Sequence, residues 1–273
     1  MEGDPLRTGA WGAGIALESG VEASVEATEE AGIRVELNGV EGDWRVARAA
    51  VEKVAERAGY AGGLRVKLRV EPPIGGGLGT SGASALSAAL AAAQALNARL
   101  SYMELARIAH IVELESGTGL GTVSGLVVGG PVIVLEPGAP GYDRVDRILA
   151  PANARVIVGF YSPMDKAGIV KGRLGLIDRL GLEAVRKLEE EPTLRRLLEL
   201  SKRFAYEAGL ATPRVRAAIE LLERHGYPAS MAMLGETVFT VVEEGAREAA
   251  RLLEESGARV LVSRISWSPA RPL

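Results

Sequence analysis

Residues 73–84 read Pro-Ile-Gly-Gly-Gly-Leu-Gly-Thr-Ser-Gly-Ala-Ser and lie between two regular patterns. Alternating apolar residues before them predict a strand over 64–70, and an alanine-rich stretch after them predicts a helix over 83–98. The first N–H groups of a helix have no intrahelical partner, and the helix dipole favours negative charge there. The segment 73–84, called the glycine loop below, therefore predicts a ligand that carries phosphate groups.

Two general interpretations fit the glycine loop poorly. A plain strand-to-helix turn needs one or two glycines, whereas residues 75–82 contain five. A dinucleotide-binding fingerprint matches literally at 77–82, but it requires a following strand that ends in an acidic residue. Here a second helical pattern follows at 102–114, without an intervening strand. A Walker-type P-loop is excluded for this segment, because no Gly-Lys-Ser/Thr closes it.

Composition narrows the class of protein. The 273 residues are 47% apolar, which is enough for the core of one large domain or two modest ones. The net charge of −3 does not indicate the excess of basic residues that is typical of nucleic-acid-binding proteins, so we expect no nucleic-acid partner. Cysteine is absent, which excludes disulfides, thiolate metal sites and a cysteine nucleophile. The only histidines, His110 and His225, have no nucleophile motif nearby, and we expect structural roles for both.

No segment predicts a membrane span or a secretory leader. The longest apolar run, 83–95, is interrupted by Ser and Gln and is too short to cross a bilayer. We therefore expect a cytoplasmic protein that binds no membrane. The sequence leaves a homodimer open.

The order of the predicted elements indicates two α+β units. The proline- and glycine-rich segment 137–141 is the clearest interruption, and it predicts a domain boundary near residue 150. Strands are predicted at 15–17, 22–27, 33–37, 64–70, 131–135, 155–161, 230–234, 238–242 and 260–265. Helices are predicted at 44–58, 83–98, 102–114, 182–190, 194–208, 213–225 and 246–256.

The glycine loop resembles the nucleotide-binding signature of the GHMP kinases, which include galactokinases, homoserine kinases, mevalonate kinases and phosphomevalonate kinases. That signature usually reads P-x-G-x-G-L-G-S-S-A-A, and P-x-G-x-G-L-G-T-S-G-A stands here in the same order. The resemblance implies that the loop wraps the phosphates of ATP. The residues it implies for this role are Pro73, Gly75, Gly76, Gly77, Leu78, Gly79, Thr80, Ser81 and Gly82.

The same resemblance implies a two-domain α+β fold. Residues 1–150 would form an ATP-phosphate-binding domain similar to a ribosomal-protein-like β-α fold. Residues 151–273 would form a ferredoxin-like domain, and ATP and substrate would lie in the cleft between the two. Members of the family carry a strand and a P-x-H-[IV]-[ST] motif before the segment that contains Gly12. Since this chain starts shortly before Gly12, we expect that strand to be missing, and a misplaced start explains this best.

Four further segments, 8–15, 109–121, 161–166 and 230–239, resemble the archaeal pantoate kinases within the family. They follow one another in the same order, although 161–166 fits loosely. This resemblance implies ATP-dependent phosphorylation of pantoate to 4-phosphopantoate, a step toward coenzyme A. Two alternatives stay open. One is another alcohol kinase of the family, of the homoserine, shikimate or mevalonate type, and the other is an inactive nucleotide-binding homologue.

By motif position, the catalytic residues would be Ser81, Glu113 and Thr122. Ser81 and Glu113 would hold Mg²⁺ and the phosphates, since a hydroxyl and a carboxylate suit this hard cation. Glu115 points to a different side of the predicted helix and is the fallback ligand. Thr122 stands where the family pattern has an Asp that acts as general base in mevalonate kinase-like members. Because a threonine hydroxyl is no base at neutral pH, we expect Thr122 to position the acceptor hydroxyl or a phosphate oxygen.

The substrate pocket is predicted more loosely. Pantoate carries a carboxylate that requires a cation, for which Lys166, Arg264 and Arg271 are the candidates. The positions predicted to approach the substrate are Gly12, Gly14, Lys166, Gly235 and Thr237.

Overall fold

The computed structural model describes residues 3–164 and 172–272. These residues contain eleven strands and eight α-helices, joined by loops. The strands are β1 (Gly12–Ile15), β2 (Val21–Thr28), β3 (Ile33–Leu37), β4 (Val40–Glu41), β5 (Gly63–Val70), β6 (Pro131–Glu136), β7 (Arg144–Arg147), β8 (Arg155–Ser162), β9 (Ala229–Met231), β10 (Glu236–Val242) and β11 (Arg259–Arg264). The helices are α1 (Arg45–Ala58), α2 (Thr80–Ala95), α3 (Tyr102–Ser116), α4 (Thr122–Val128), α5 (Leu174–Glu190), α6 (Leu194–Glu207), α7 (Pro213–Arg224) and α8 (Ala246–Glu255).

The N-terminal sheet has the order β2-β5-β3-β4 and is covered on one face by α1, α2 and α3. Alternation along β5 explains this: Leu64, Val66 and Leu68 are buried, while the residues between them are exposed and charged. On the open face, Arg65 pairs with Glu26 across the β2–β5 ladder. The helices that cover the buried face also place the first turn of α2 and the last turn of α3 side by side.

The C-terminal sheet has the order β11-β8-β10-β9, and every neighbouring pair is antiparallel. Helices α5, α6 and α7 lie between β8 and β9 in the chain, and α8 lies between β10 and β11. This β-α-β-β-α-β order is that of a ferredoxin-like domain, which confirms the expectation for the C-terminal half. The expected boundary near residue 150 falls between β7 and β8 and stays a prediction.

A third sheet, β1-β6-β7, connects the two halves. Its Ile133 packs with Ile148 against Val185 and Leu188 of α5 in a shared buried cluster. Leu17, which follows β1, forms an isolated antiparallel β-bridge with Ile265, which follows β11. The two halves thus share a core and a stretch of backbone pairing, which fixes the cleft between them.

Several element boundaries differ from the sequence prediction. Helix α4 was not predicted, because seven residues that contain Gly125 and end before two glycines show no clear helical period. The first strand covers Gly12–Ile15 rather than 15–17, and α5 begins at Leu174 rather than 182. Helix α2 starts at Thr80 rather than 83, which brings the Thr80 and Ser81 side chains into its first turn. None of the helices in the two described ranges has the length and hydropathy needed to cross a membrane.

His110 attaches the N-terminal turn of the chain to α3. Its side chain is buried, and Nε2 donates a hydrogen bond to the Thr8 carbonyl at 2.9 Å. Burial lowers the pKa of His110, and hydrogen bonds to the carbonyls of Thr8 and Pro5 and the charge of Asp143 offset this effect only in part. His110 is therefore neutral in the folded protein at neutral pH.

This lowered pKa predicts an acid-sensitive contribution to stability. Below about pH 6.5, the ordinary value for histidine, the unfolded chain binds a proton at His110 more readily than the folded chain does. The melting temperature should therefore decrease as pH falls, and His110→Gln, which keeps a donor but does not titrate, should show a weaker decrease. His225→Gln alters the exposed histidine and should follow the wild type. Parallel curves for His110→Gln and wild type would contradict this assignment.

Candidate active site

The glycine loop leads from the end of β5 directly into the N-terminus of α2. Gly79 precedes the helix in a left-handed conformation (φ 65°), and its lack of a side chain leaves the first turn uncapped. The first intrahelical bond of this turn is that from the Ala83 N–H to the Gly79 carbonyl, at 3.1 Å. The N–H groups of Thr80, Ser81 and Gly82 precede that bond and have no intrahelical partner. A sixteen-residue helix thus directs its positive end toward the space above the loop.

The glycines of the loop are required by packing as well as by ligand approach. A Cβ atom at Gly75 would lie 2.8 Å from Cβ of Pro163, and one at Gly77 would lie 2.7 Å from the Leu234 nitrogen. On the opposite side, a Cβ atom at Gly235 would lie 2.3 Å from the Gly76 carbonyl carbon. Gly75 and Gly77 also have positive φ angles of 79° and 73°. Glycine therefore allows the loop to lie against the C-terminal half of the chain.

Ser81 and Glu113 meet at the entry to α2. The Ser81 hydroxyl donates to Oε1 of Glu113 at 2.6 Å, and the Thr118 hydroxyl lies 3.3 Å from the same oxygen. Glu113 is only 2% exposed, although it is a carboxylate in the last turn of α3. A Cβ atom at Gly82 would lie 2.5 Å from Oε2 of Glu113, so glycine leaves the room that the carboxylate occupies.

This pair has the chemistry of a Mg²⁺ site. A carboxylate and a hydroxyl are hard oxygen donors, and one or two such groups suffice because Mg²⁺ usually retains several waters. Glu115, the fallback ligand, is exposed and pairs with Lys53 at 3.1 Å on another side of α3. The geometry therefore favours Glu113 over Glu115 as the carboxylate that faces the glycine loop.

Thr122 is the first residue of α4 and packs against the first turn of α2. Its Cγ2 lies 2.7 Å from the point that a Cβ atom of Gly79 would occupy, and its Cβ lies 2.9 Å from the corresponding point at Gly82. Glu113 borders the same point at Gly82, so Thr122 and Glu113 are neighbours. Thr122 supplies a hydroxyl at this position and no carboxylate.

A cavity of about 540 Å³ extends from Thr122 and the end of the glycine loop between the two halves. Gly12 and Gly14 line it from β1, and Leu188 and Phe204 line it from the C-terminal half. Among the described residues its lining contains no charged side chain. This size and apolar character are typical of a small-molecule site.

The other residues predicted for the substrate are separated from one another. Gly235 and Thr237 lie beneath the glycine loop, where Oγ1 of Thr237 is 3.0 Å from the point that a Cβ atom of Gly76 would occupy. Arg264 lines a separate surface hollow at the end of β11, and Arg271 is exposed near the C-terminus. Lys166 lies outside the described residues.

Sequence reasoning missed the part of the cavity wall that α5 and α6 supply. Leu188, Leu197 and Phe204 carry no motif, and in sequence they belong to ordinary amphipathic helices. It also missed the hydrogen bonds of Glu236, described below, because its partners lie far away in the chain. The one signal in the sequence is that Leu188 and Leu197 lie on the apolar faces of amphipathic helices. Such a face indicates packing against another element but does not identify a cavity wall.

The close packing around Gly82 gives a test of this geometry. Gly82→Ala would place a methyl group against Glu113 and Thr122, and we expect a loss of about 1–3 kcal/mol in the free energy of unfolding. Gly175→Ala is the matched control, because open space surrounds Gly175 in the first turn of α5. Denaturant unfolding measures both. Equal stability of Gly82→Ala and wild type would show that the carboxylate does not occupy this place.

Comparison with protein families identifies both halves of the chain. Residues 45–131 match the model of the GHMP kinases N terminal domain, and residues 182–259 match that of the GHMP kinases C terminal domain. A homoserine kinase structure from Cytophaga hutchinsonii has a TM-score of 0.72 at 17% identity, covering 94% of this chain and 90% of that one, and shows the shared fold. A solved phosphotransferase related to the CoA biosynthesis pathway has a TM-score of 0.85 at 28% identity, covering 97% and 90%.

Three similar proteins are named pantoate kinase, and two of them are at least 30% identical to this chain. That of Methanocaldococcus jannaschii is 34% identical over 241 residues, which is 86% of this chain and 84% of the relative. That of Thermococcus kodakarensis is 31% identical over 261 residues, which is 92% of this chain and 86% of the relative. Together with the matched domain models and the glycine loop at the N-terminus of α2, this similarity shows that the chain belongs to the GHMP kinase family.

Proposed function

We propose that this protein is an ATP-dependent kinase that phosphorylates the hydroxymethyl group of pantoate to give 4-phosphopantoate. The observation that carries the proposal is the Ser81–Glu113 pair beside the glycine loop, in a chain that resembles pantoate kinases over most of its length. The proposal includes a cytoplasmic location, where ATP is available.

The glycine loop and α2 would bind the phosphates of ATP. The free N–H groups of the first turn donate hydrogen bonds, and the helix dipole stabilises the negative charge. Ser81 and Glu113 would hold Mg²⁺, which when bound offsets the charge of the β- and γ-phosphates. Thr118 and Gly82 keep the Glu113 carboxylate in place, the first by its hydroxyl and the second by leaving space.

The acceptor would lie in the cavity that begins at Thr122. The acceptor oxygen forms a bond to the γ-phosphorus while the bond to the ADP oxygen breaks. Within the described ranges no carboxylate or imidazole lines the cavity, so we propose that the acceptor proton passes to water or to a phosphoryl oxygen. Phosphoryl transfer tolerates this, since its loose transition state depends mainly on positioning and charge stabilisation.

The apolar cavity wall suits the two methyl groups that pantoate carries beside its reacting carbon. Homoserine is a zwitterion with no branched apolar group, and it fits an uncharged wall less well. Of the three cations predicted for the pantoate carboxylate, Arg264 and Arg271 do not line this cavity, and Lys166 lies outside the described residues, so its role stays a prediction.

One observation favours a second candidate function. Thr122 provides no base, and no charged side chain lines the described part of the cavity, so the chain could bind nucleotide without transferring phosphate. ADP release coupled to a reporter enzyme, measured with pantoate, homoserine, shikimate and mevalonate, separates the candidates. We expect turnover with pantoate. ATP binding by calorimetry without turnover on any acceptor would favour the second candidate, and turnover on another alcohol alone would contradict pantoate.

Substitution of the buried carboxylate tests the site directly. Glu113→Gln should reduce kcat/KM by at least about 100-fold and weaken the dependence on Mg²⁺, because a neutral amide binds a hard cation poorly. Glu115→Gln removes the nearby exposed carboxylate on the same helix and should retain wild-type kinetics. If Glu115→Gln lost activity while Glu113→Gln retained wild-type kinetics, Glu115 would be the ligand.

A further inference from the structure

Glu236 joins three separate elements directly behind the glycine loop. The hydroxyl of Thr212, at the start of α7, donates to Oε1 at 2.7 Å, and the hydroxyl of Ser162, at the end of β8, donates to Oε2 at 2.7 Å. Nη1 of Arg214 lies 3.1 Å from Oε2. The Glu236 side chain is only 15% exposed and its two hydroxyl contacts are partly buried, whereas Arg214 is 60% exposed and pairs with it at the surface.

The residues that precede Glu236 form the turn 232–235, and this turn contacts the glycine loop through backbone atoms. Gly235 approaches Gly76 so closely that a Cβ atom there would lie 2.3–2.6 Å from three of its backbone atoms. Gly77 approaches the peptide between Met233 and Leu234 in the same way. Displacement of the turn would therefore displace the loop.

The ladder between β8 and β10 is irregular at this point. Glu236 pairs with Ser162 while Thr237 pairs with Phe160, so β8 has one extra residue between these two pairs. Thr237 is fully buried under Gly76, and its hydroxyl oxygen finds no hydrogen-bond partner within the described part of the chain. Besides the backbone pairing, the side-chain hydrogen bonds at the start of β10 therefore come from the Glu236 carboxylate.

We propose that Glu236 is a positioning residue that fixes the turn 232–235 against the glycine loop and thereby sets the loop in its phosphate-binding shape. Its partners Thr212 and Arg214 lie at the start of α7 and Ser162 lies at the end of β8, so these contacts connect the start of β10 to two other elements. The inference rests on the proposed function only in naming ATP as the ligand. The position of the loop itself follows from the contacts alone.

The Glu236 carboxylate is ionised at neutral pH. Burial would raise its pKa, but the hydrogen bonds from Thr212 and Ser162 and the charge of Arg214 together lower the pKa below its usual value. A charged acceptor makes stronger hydrogen bonds than a neutral one. Glu236→Gln should therefore keep one hydroxyl donor on its amide oxygen, reverse the other contact so that the amide N–H donates to the hydroxyl, and weaken the contact with Arg214, whereas Glu236→Ala removes all three.

Hydrogen exchange by mass spectrometry tests the inference without any ligand. In Glu236→Ala, the hydrogen-bonded amides on the two sides of the contact, Ala83 in the glycine loop and Ala232 in the turn, should exchange about tenfold faster, which corresponds to a loss of about 1.4 kcal/mol in local stability. Exchange in β5 and in the second half of α2 should stay at wild-type rates. Glu236→Gln should lie between Glu236→Ala and wild type. Glu244→Gln, an exposed carboxylate after β10, is the matched control and should show wild-type exchange.

Kinetics give the second readout. Glu236→Ala should raise KM for ATP about tenfold and change kcat less than about twofold, because the residue shapes the loop and touches no reacting atom. If Glu236→Ala does not fold, Arg214→Ala and Ser162→Ala each remove one contact and should accelerate loop exchange to a smaller extent. Wild-type exchange of the loop in every folded variant would overturn the inference. A lack of pantoate turnover would contradict the proposed function only, since the exchange experiment needs neither acceptor nor ATP.

Discussion

Backbone contact between the glycine loop and the turn 232–235 is the constraint on which the rest of the structure depends. Gly76 and Gly235 meet with no side chain between them, and the peptide at Met233–Leu234 lies against Gly77. A Cβ atom at Gly235 would clash with the Gly76 backbone, and one at Gly76 would lie 3.0 Å from side-chain atoms of Phe160 and Thr237, so both positions favour glycine. The contact joins the N-terminal half to the ferredoxin-like half and places the N-terminus of α2 at the cleft.

A second constraint acts at the other side of α2. Glu113 is buried in the last turn of α3, where the helix dipole disfavours a carboxylate. It is retained there by the Ser81 hydroxyl and by the space that Gly82 leaves. A carboxyl group that is buried at such a place is typical of a site that binds a cation or an ionic ligand. The positive N-terminal end of α2 lies beside this carboxylate. The candidate groups for binding phosphate and metal are therefore close together.

Much of the fold was predictable, because its signals are local. The alternation in β5, the capping box at Ser101 and the proline that opens α7 each act within a few residues. Helix α4 was not predictable, since a seven-residue helix with an internal glycine gives little periodic signal. For the glycines of the glycine loop, the sequence predicts one of two reasons, ligand approach, but not the other, close packing against the turn 232–235. Sequence indicates a phosphate loop, but the approach of Gly235 and the contacts of Glu236 join segments that are distant in the chain.

A crystal structure with a non-hydrolysable ATP analogue and Mg²⁺ tests the central claim most directly. The account predicts that the β- and γ-phosphates lie over the N-terminus of α2, within the curve of the glycine loop, and that the metal contacts Ser81 and Glu113. The acceptor cavity beside Thr122 should remain open toward the γ-phosphate. Phosphates bound elsewhere, or a metal held by carboxylates other than Glu113, would contradict the account.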